Sequence, residues 1–323
     1  MIIKFLSYLK RITRKILYRG LTKNFYRKAS AIKVFFKQNL SDKDFIKKHF
    51  IENTGIVPNI KDPTHYHEKV LWLKTYYRNP LMKKVSDKYR VRDYVKANGY
   101  GDLLPPIYGA YENFSDIDFD DVPNKVFIKS NHTSGHNMMI ERNVTSLKRA
   151  EKFFNKSKKV NYYTRSREWN YDGIPPLLIV EPYLNMDDFK DYKFFVFNGS
   201  VELLQVLDGI NDEKGIQTPD YKANIYNKDL ELLNRIDKFR DELDYENVKF
   251  TSQLKYIWQA AEELGREFPF CRVDFVVSDN KCYFGEITFF PDGGNMVIDD
   301  DELSLYLGAK INLEKIPKKH LNI

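Results

Sequence analysis

The sequence predicts an α+β (or α/β) protein in which a helical N-terminal region precedes a β-rich body. From residue 41 to about 100, apolar residues recur every three or four positions, as on amphipathic helices. After Pro105-Pro106 the chain changes to short runs rich in β-branched and aromatic residues. A helical pattern over 251–267 and two further strands over 270–290 follow. This order is typical of an α+β enzyme.

Three helices are expected in the N-terminal region. Ser41 precedes an acidic first turn and begins the first, and residues 65–77 form the second. The third is predicted to run without a break from about Met82 to Ala97, where Asn98-Gly99 ends it.

Five short runs in the middle of the chain are predicted strands, and the last two flank Asn198-Gly199-Ser200, which is typical of a tight hairpin turn. The runs are 126–129, 138–141, 177–180, 192–197 and 201–207. A further turn is expected at 278–281, between the strands over 270–277 and 282–290.

Charge is distributed unevenly along the 323 residues. Residues 1–40 carry eleven Lys or Arg and no Asp or Glu, which leaves 41 basic against 45 acidic residues, a net charge of −4, in the remainder. This balance argues against a nucleic-acid-binding body. No run reaches the ~18 apolar residues of a membrane span. Two cysteines are too few for a disulfide framework, so a cytoplasmic location is predicted.

The basic segment 1–40, which we call the N-terminal arm, has the pattern of an amphipathic helix. Its apolar residues recur at three- and four-residue spacing: Ile2, Phe5, Leu6, Leu9, Ile12 and Ile16. Such a helix binds an anionic membrane surface, which would place the protein peripherally at the inner face of the cytoplasmic membrane. A solvated or protein-packed helix is the other interpretation, and the sequence leaves both open.

Polar residues alternate with apolar ones in the C-terminal hairpin. Alternation places Arg272 and Asp274 on one face of the first strand, and Phe284, Glu286 and Thr288 on one face of the second. A three-residue loop would set residue 274 opposite 286, whereas a two-residue loop would separate the polar sets. Two facing carboxylates require a compensating cation. Mg²⁺ and a salt-bridge cluster formed by Arg272 are both compatible with the pattern.

A second polar segment follows the strand that ends at Lys129. Residues 130–137 form a small, polar loop whose backbone N–H groups can bind phosphate, and a lysine at the strand end can pair with it. An ordinary hairpin tip is the alternative. His132 and His136 are expected to be turn or packing residues rather than catalysts.

Five separated runs, taken together and in order, resemble the TupA-like branch of the ATP-grasp superfamily, which is associated with teichuronopeptide and capsular polysaccharide biosynthesis. They are residues 86–95, 127–137, 166–169, 191–199 and 284–289. The resemblance covers about residues 45–310. It implies a helical subdomain over 41–110, a mobile β-rich lid over 111–180 and an antiparallel-sheet catalytic subdomain over 181–323, all after the N-terminal arm.

The resemblance also implies the roles of individual residues. ATP would contact Lys88, Lys129, Ser134, Gly135, Glu181 and Leu184. The catalytic residues would be Lys193 and Arg272, and Mg²⁺ would bind Asp274, Glu286 and Thr288. Thr288 stands where many ATP-grasp enzymes place Asn, which puts a second Mg²⁺ in question. Thr133 stands where Gly is more common and is expected to stiffen the lid loop.

The activity implied is ATP- and Mg²⁺-dependent ligation of a carboxylate to an amine through an acyl-phosphate. The family setting suggests that an amino acid or amine is joined to a uronic acid or similar carboxylate on a glycan or amino acid. Two other functions stay open: a glycosyltransferase that uses a sugar nucleotide, and a non-enzymatic nucleotide-binding scaffold. Residues 162–169 and 291–295 could contact the acceptor, although packing and a strand-ending turn explain them equally well.

Overall fold

The computed structural model describes residues 39–185, 189–209, 221–233 and 250–323. Nearly all of the predicted N-terminal arm lies outside these residues. The helical region begins with α1 (Asp42–Thr54), α2 (Tyr66–Tyr76), α3 (Leu81–Ser86) and α4 (Val91–Ala97). As predicted, Ser41 caps α1: its hydroxyl accepts a hydrogen bond from the backbone N–H of Asp44. In the described part of the chain, no helix combines the length and apolar character that a bilayer crossing requires.

The prediction of one continuous third helix is wrong, because the chain leaves the helical conformation at Asp87. Residue 87 is extended, and its carboxylate accepts hydrogen bonds from the backbone N–H groups of Tyr89 and Arg90. A side chain that bonds to nearby N–H groups competes with helix continuation. The result is two short helices, with Lys88 in the connection between them.

The first sheet has four antiparallel strands in the order β1 (Gly109–Tyr111), β4 (Leu178–Pro182), β2 (Lys125–Ser130) and β3 (Asn137–Glu141). Two helices, α5 (Leu147–Ser157) and α6 (Tyr162–Ser166), connect β3 to β4. Phe154 of α5 packs with Ile128, Ile140 and Val180 in the core of this sheet. The loop that joins β2 to β3 is the polar segment predicted to bind phosphate.

The second sheet has five antiparallel strands in the order β7–β6–β5–β8–β9. Their bounds are β5 (Lys190–Phe197), β6 (Ser200–Asp208), β7 (Lys222–Asn227), β8 (Phe270–Ser278) and β9 (Lys281–Thr288). The predicted tight turn joins β5 to β6, with positive φ at Asn198 and Gly199. Helix α7 (Leu254–Gly265) covers one face, and α8 (Asp301–Lys310) follows β9.

The hairpin of β8 and β9 contains a bulge at Gly285. Its turn has only two residues, Asp279 and Asn280, both at positive φ, and Ser278 pairs with Lys281. The register then shifts by one residue between Phe275 and Asp274, so that Asp274 pairs with Glu286. The predicted pairing is therefore confirmed, but a two-residue turn and a bulge produce it rather than a three-residue loop.

The bulge also corrects the predicted position of Phe284. Simple alternation would place Phe284 on the face of Glu286 and Thr288. Because Gly285 is an extra residue, the side chains that precede it in β9, including Phe284, point to the opposite face from the one that alternation predicts. Phe284 is instead buried and makes an edge-on contact with Phe275, at 6.0 Å between ring centroids.

Candidate active site

A buried carboxylate, Asp274, lies at the centre of the cleft face of the second sheet. Lys193 on β5 pairs directly with Asp274 on β8, and its Nζ lies 2.9 Å from Oδ2. The Arg272 guanidinium donates from Nε to Oδ1 at 2.7 Å and from Nη2 to Oδ2 at 2.6 Å. Asp274 is only 3% exposed, so both of its oxygens depend on these two cations.

Glu286 lies beside this group and is held by different partners. Thr288 donates its hydroxyl to Glu286 Oε1 at 3.2 Å, and Lys88 Nζ lies 3.4 Å from Oε2. Burial alone would raise the pKa of Glu286, but Lys88, Arg272 and Lys193 outweigh it and lower the pKa to about 2. The carboxylate is therefore ionised throughout the neutral range, while its side chain remains 35% exposed to the cleft.

A third acid, Asp191, belongs to the same group and was not predicted from the sequence. It precedes Lys193 by two residues on β5, and its Oδ1 lies 3.6 Å from Lys193 Nζ. Its other oxygen is buried and has no hydrogen-bond partner in the described part of the chain. Burial raises the pKa of Asp191. The two-residue spacing from Lys193, which places both on one face of a strand, was the signal available in the sequence.

The first sheet places a lysine opposite this acidic group. Lys129, on β2, forms an ion pair with Glu181 on the neighbouring strand β4, at 2.6 Å between Nζ and Oε2. In the loop that follows, Gly135 has a φ of +73°, which glycine adopts without strain. Lys88 donates to the Thr133 carbonyl at 3.1 Å. Because Lys88 also contacts Glu286, it links the loop of the first sheet to the acids of the second.

The two loop histidines both contact backbone carbonyls, and His136 also borders the space between the two sheets. His132 is buried, with Nε2 lying 3.1 Å from the Ser157 carbonyl oxygen of α5. His136 contacts the Ser134 carbonyl oxygen through Nδ1 at 3.2 Å and packs on Phe153. Both rings therefore bond to backbone carbonyls near the loop and the first sheet, as turn and packing residues do.

Two cavities meet at the acidic group. The first, which we call the cleft, has a volume of about 220 Å³ and lies between the two sheets; the predicted residues that line it are Lys88, Lys129, Gly135, Glu181, Leu184, Lys193, Asp274 and Glu286. The second, which we call the side cavity, has a volume of about 360 Å³ and is lined by Ser134, Arg272 and Thr288. Lys193 and Glu286 line both. All of the predicted site residues therefore border one of these two spaces.

The family model for TupA-like ATPgrasp proteins matches residues 68–312, well over half of the chain. The chain belongs to the TupA-like ATPgrasp family. Its fold is accordingly the α+β ATP-grasp fold, and the matched residues include every predicted site position.

The described chain also resembles solved structures, at low identity. They include the ATP-grasp ligase PsnB complexed with minimal precursor (11% identity, 73% of this chain and 63% of that chain, TM-score 0.41). Another is D-alanine-D-alanine ligase from Helicobacter pylori, with 17% identity over 71% of this chain and 61% of that chain and a TM-score of 0.37. A third is L-amino acid ligase from Bacillus licheniformis, with 12% identity over 78% of this chain and 55% of that chain and a TM-score of 0.42. The chain thus spans less than two thirds of the length of these proteins. No curated protein matches its sequence.

The side cavity of this TupA-like protein also contains a buried acid for which the sequence predicted no individual role, although the acid stands in the run 166–169 that resembles the family. Glu168 is 5% exposed and lines the cavity with Tyr162 and Tyr171. Desolvation raises the pKa of Glu168 to about 7. Its burial depends on α2 and on residues 291–293, which are distant in sequence, so no local pattern could reveal it.

Three other members of the run 162–169, Tyr163, Arg167 and Trp169, pack against the helical region. Tyr163 donates its hydroxyl to Asp42 of α1 at 2.7 Å, and Arg167 lies over the Phe45 ring at 5.0 Å. Trp169 is covered by the Lys83 ammonium at 4.4 Å. Residues 291–293, by contrast, do line the side cavity, as one of the two interpretations of that turn proposed.

The donor set of this TupA-like protein fits Mg²⁺ on chemical grounds. Asp274, Glu286 and Thr288 offer only oxygen atoms, which are the ligands that Mg²⁺ prefers. Within the described residues, no three His, Cys, Asp or Glu side chains are grouped as a metal cage. Mg²⁺ characteristically takes one or two protein carboxylates and completes its coordination with water and substrate phosphates, so a two-acid set is sufficient.

Proposed function

We propose that this protein is an ATP- and Mg²⁺-dependent ligase that joins a carboxylate to an amine through an acyl-phosphate. The observation that supports the proposal best is the convergence of Lys88, Lys193 and Arg272 on the pair Asp274 and Glu286. Cations and acids of this kind, in a cleft faced by Lys129, suit the transfer of a phosphoryl group between two anions. Membership in the TupA-like ATPgrasp family supports the same reaction.

In this proposal the cleft holds ATP. Lys129 and Lys88 bind the phosphates as point charges, and the loop 130–137 covers them with its backbone N–H groups. The adenine lies next to Glu181 of β4 and Leu184, which follows that strand. When ATP enters, Lys129 exchanges part of its contact with Glu181 for phosphate oxygens.

Asp274 and Glu286, with the Thr288 hydroxyl, would hold Mg²⁺ where the cleft meets the side cavity. The bound ion would supply positive charge that offsets the charge of the triphosphate.

Arg272 and Lys193 orient the carboxylate substrate toward the γ-phosphate. The carboxylate oxygen attacks the γ-phosphorus, ADP leaves, and an acyl-phosphate forms. Closure of the loop 130–137 excludes water, which would otherwise hydrolyse this anhydride. An amine then displaces phosphate to give the amide. The protein contributes position and charge, and the reaction needs no nucleophilic side chain.

The finer substrate proposal follows the family setting. A uronic acid or an amino acid supplies the carboxylate, on a glycan or free, and the product belongs to surface polysaccharide biosynthesis. The N-terminal arm would hold the enzyme at the cytoplasmic face of the membrane, where lipid-linked glycans are assembled. Comparing the full chain with a variant that lacks residues 1–40 for binding to anionic vesicles tests the arm separately. Equal binding by the two proteins contradicts its membrane role.

A hydroxamate assay tests the reaction. Purified protein receives ATP, Mg²⁺, hydroxylamine and one carboxylate at a time: D-glucuronate, D-galacturonate, L-glutamate or D-alanine. We expect carboxylate-dependent ADP release with hydroxamate formation, abolished by Glu286→Gln. Lys156→Met, an exposed change on α5, is the control and should retain full activity. Turnover that survives Glu286→Gln would show that the site is misplaced.

The acidic segment Asp116-Ile117-Asp118 gives the glycosyltransferase alternative no support. Asp116 accepts hydrogen bonds from Asn113 within its own turn, and Asp118 accepts one from the N–H of Asp120. Both are therefore engaged in local turns at the surface. A thermal-shift comparison of ATP with UDP-glucose and UDP-glucuronate separates the two functions, since a ligand stabilises the protein that binds it. Stabilisation by a UDP-sugar alone would favour the glycosyltransferase.

A further inference from the structure

The side cavity has an excess of negative charge. Among the residues that the structure describes, four carboxylates line it, those of Glu168, Glu286, Asp292 and Asp299, against two cations, Lys193 and Arg272. Both cations already contact Asp274, which lies outside this cavity's lining. Apart from these two cations, which the proposed function assigns to the carboxylate substrate, every charged residue of the described lining is an acid, so the rest of the cavity favours a cationic molecule.

Glu168 is the buried member of these acids. It follows Arg167, which ends α6 in the left-handed conformation with a φ of +56°, and this turn directs the chain inward. The nearest buried lysine, Lys74 of α2, donates instead to the Gly293 carbonyl at 2.6 Å. Among the described residues, no cation lies within 4.0 Å of the Glu168 carboxylate, so it is buried without an ion-pair partner.

Charged groups nevertheless face Glu168 from several elements. Lys74 of α2 and Lys88 after α3 act on it from a distance and lower its pKa, and Glu286 of β9 raises it, while the Ser166 hydroxyl lies beside it. Burial dominates these influences. Glu168 is therefore poised between its charged and neutral forms, as a group that exchanges a proton with a substrate must be.

Two aromatic rings form the wall next to Glu168. Tyr162 and Tyr171 both line the side cavity and contact each other edge-on, with ring centroids 4.9 Å apart. Desolvation raises the pKa of both phenols, so they remain neutral. Neutral tyrosine rings attract ammonium ions through their faces and exert no repulsion on them.

We propose that the side cavity binds the amine substrate as a primary ammonium ion, and that Glu168 holds this ion and accepts its proton. This inference rests on the proposed ligase function and names the class of its second substrate. The side cavity meets the cleft at Lys193 and Glu286, so an amine held there reaches the acyl carbon from the side opposite ATP.

The step balances in atoms and charge. The ammonium gives one proton to Glu168, and the free amine attacks the acyl carbon to form a C–N bond. The C–O bond to the phosphate then breaks, and the second proton lost from nitrogen leaves with the phosphate as hydrogen phosphate. Glu168 returns its proton to solvent before the next turnover.

Binding of matched ligands tests the cavity without any variant. Protein saturated with ADP and Mg²⁺ is titrated with ethanolamine, L-alaninamide or D-glucosamine, each paired with its hydroxyl counterpart: ethylene glycol, L-lactamide or D-glucose. We expect thermal stabilisation by at least one ammonium ligand and none by its counterpart. Glu168→Gln should remove that stabilisation, whereas Asp172→Asn, which changes a half-buried acid four residues away that pairs with Lys83, should keep it. Equal responses to both members of every pair would overturn the proposal.

The kinetic test uses hydroxylamine, which is largely uncharged at neutral pH and needs no proton acceptor. Glu168→Gln should lose ~100-fold or more in kcat/KM for the ammonium ligand and far less in hydroxamate formation, because hydroxylamine arrives already deprotonated. An equal loss with both nucleophiles, or no loss with either, would contradict the role of Glu168. If the native protein forms no hydroxamate with any carboxylate, the proposed ligase function itself is wrong, and the binding experiment still decides whether the cavity selects ammonium ions.

Discussion

Asp274 and Glu286 lie opposite each other on adjacent strands because Gly285 inserts one extra residue into β9. A Cβ atom at position 285 would lie 3.0 Å from the backbone oxygen of Asp274. Backbone cannot withdraw as a flexible side chain can, so any side chain at this position would press on β8. The pairing of the two acids, and the cations they attract, thus depends on a residue with no side chain.

Gly285→Ala is expected to disturb this pairing. The new methyl group forces β8 and β9 apart, at a cost of ~1–3 kcal/mol in the free energy of unfolding, and carboxylate-dependent ADP release should fall strongly. Urea denaturation and the hydroxamate assay measure the two effects. Gly101→Ala is the control, since its Cβ would meet only the flexible Lys96 side chain at 3.3 Å. Full activity in Gly285→Ala would show that the bulge does not position the acids.

Neutralising Asp274 should affect stability as well as activity. Asp274→Asn leaves Arg272 and Lys193 buried beside a neutral amide, and breaking a buried ion pair in this way costs ~3–5 kcal/mol. Glu286→Gln should cost much less because this side chain is more exposed. Urea denaturation of both variants measures the difference. Equal losses would mean that Asp274 is not the group on which the buried cations depend.

Lys129 is expected to bind ATP phosphates. Lys129→Met should weaken ATP binding by ~10–100-fold, which corresponds to one charge-assisted hydrogen bond. Isothermal titration with ATP and Mg²⁺ measures the affinity. Lys156→Met, which removes the same charge from the exposed face of α5, should bind ATP as the native protein does. If the native protein, Lys129→Met and Lys156→Met bind ATP with similar affinity, Lys129 does not contact ATP.

Glu168 should make stability depend on pH. Its pKa is about 7 in the folded protein against an ordinary value of 4.5, so between these pH values the folded state holds a proton that the unfolded state has released. Stability is then lost as pH rises through this window, by up to ~3 kcal/mol. Relative to the native protein, Glu168→Gln should gain stability from pH 4.5 to 7 and level off above. Urea denaturation at several pH values measures this trend, and the control Asp172→Asn should not show it. If the stability difference between Glu168→Gln and the native protein does not change with pH, the argument from burial is contradicted.

Much of the fold follows from local patterns in the sequence. Helices α1, α2 and α7, strands β2 to β6, β8 and β9, and the Asn198-Gly199 turn were predicted because their periodicity and turn residues act over a few positions. Helices α5, α6 and α8 and strands β1 and β7 were not predicted. The break at Asp87 was missed, since the side chain there competes with a helix that every neighbouring residue favours. The sequence predicted that Asp274 pairs with Glu286 if the hairpin loop has three residues. The loop has two, and the bulge at Gly285 restores the pairing, which alternation alone cannot reveal.

The site could be predicted only where it coincides with motifs. The family resemblance supplied roles for Lys129, Asp274 and Glu286. Asp191 and Glu168 also stand in runs that resemble the family, but their burial in the site depends on contacts between distant segments. Glu168 becomes a cavity residue only after α2 and the turn at 291–293 enclose it. Burial of this kind is a property of packing in three dimensions, and one sequence gives no local sign of it.

The most direct test of the account follows the oxygen atoms of the carboxylate. A carboxylate that is active in the hydroxamate assay is labelled with ¹⁸O and incubated with the protein, ATP, Mg²⁺ and hydroxylamine, and the released phosphate is analysed by mass spectrometry. An acyl-phosphate pathway transfers one ¹⁸O atom to phosphate in each turnover, and Glu286→Gln should release almost no labelled phosphate. Phosphate without label, or release of pyrophosphate and AMP instead of ADP, would contradict the proposed reaction.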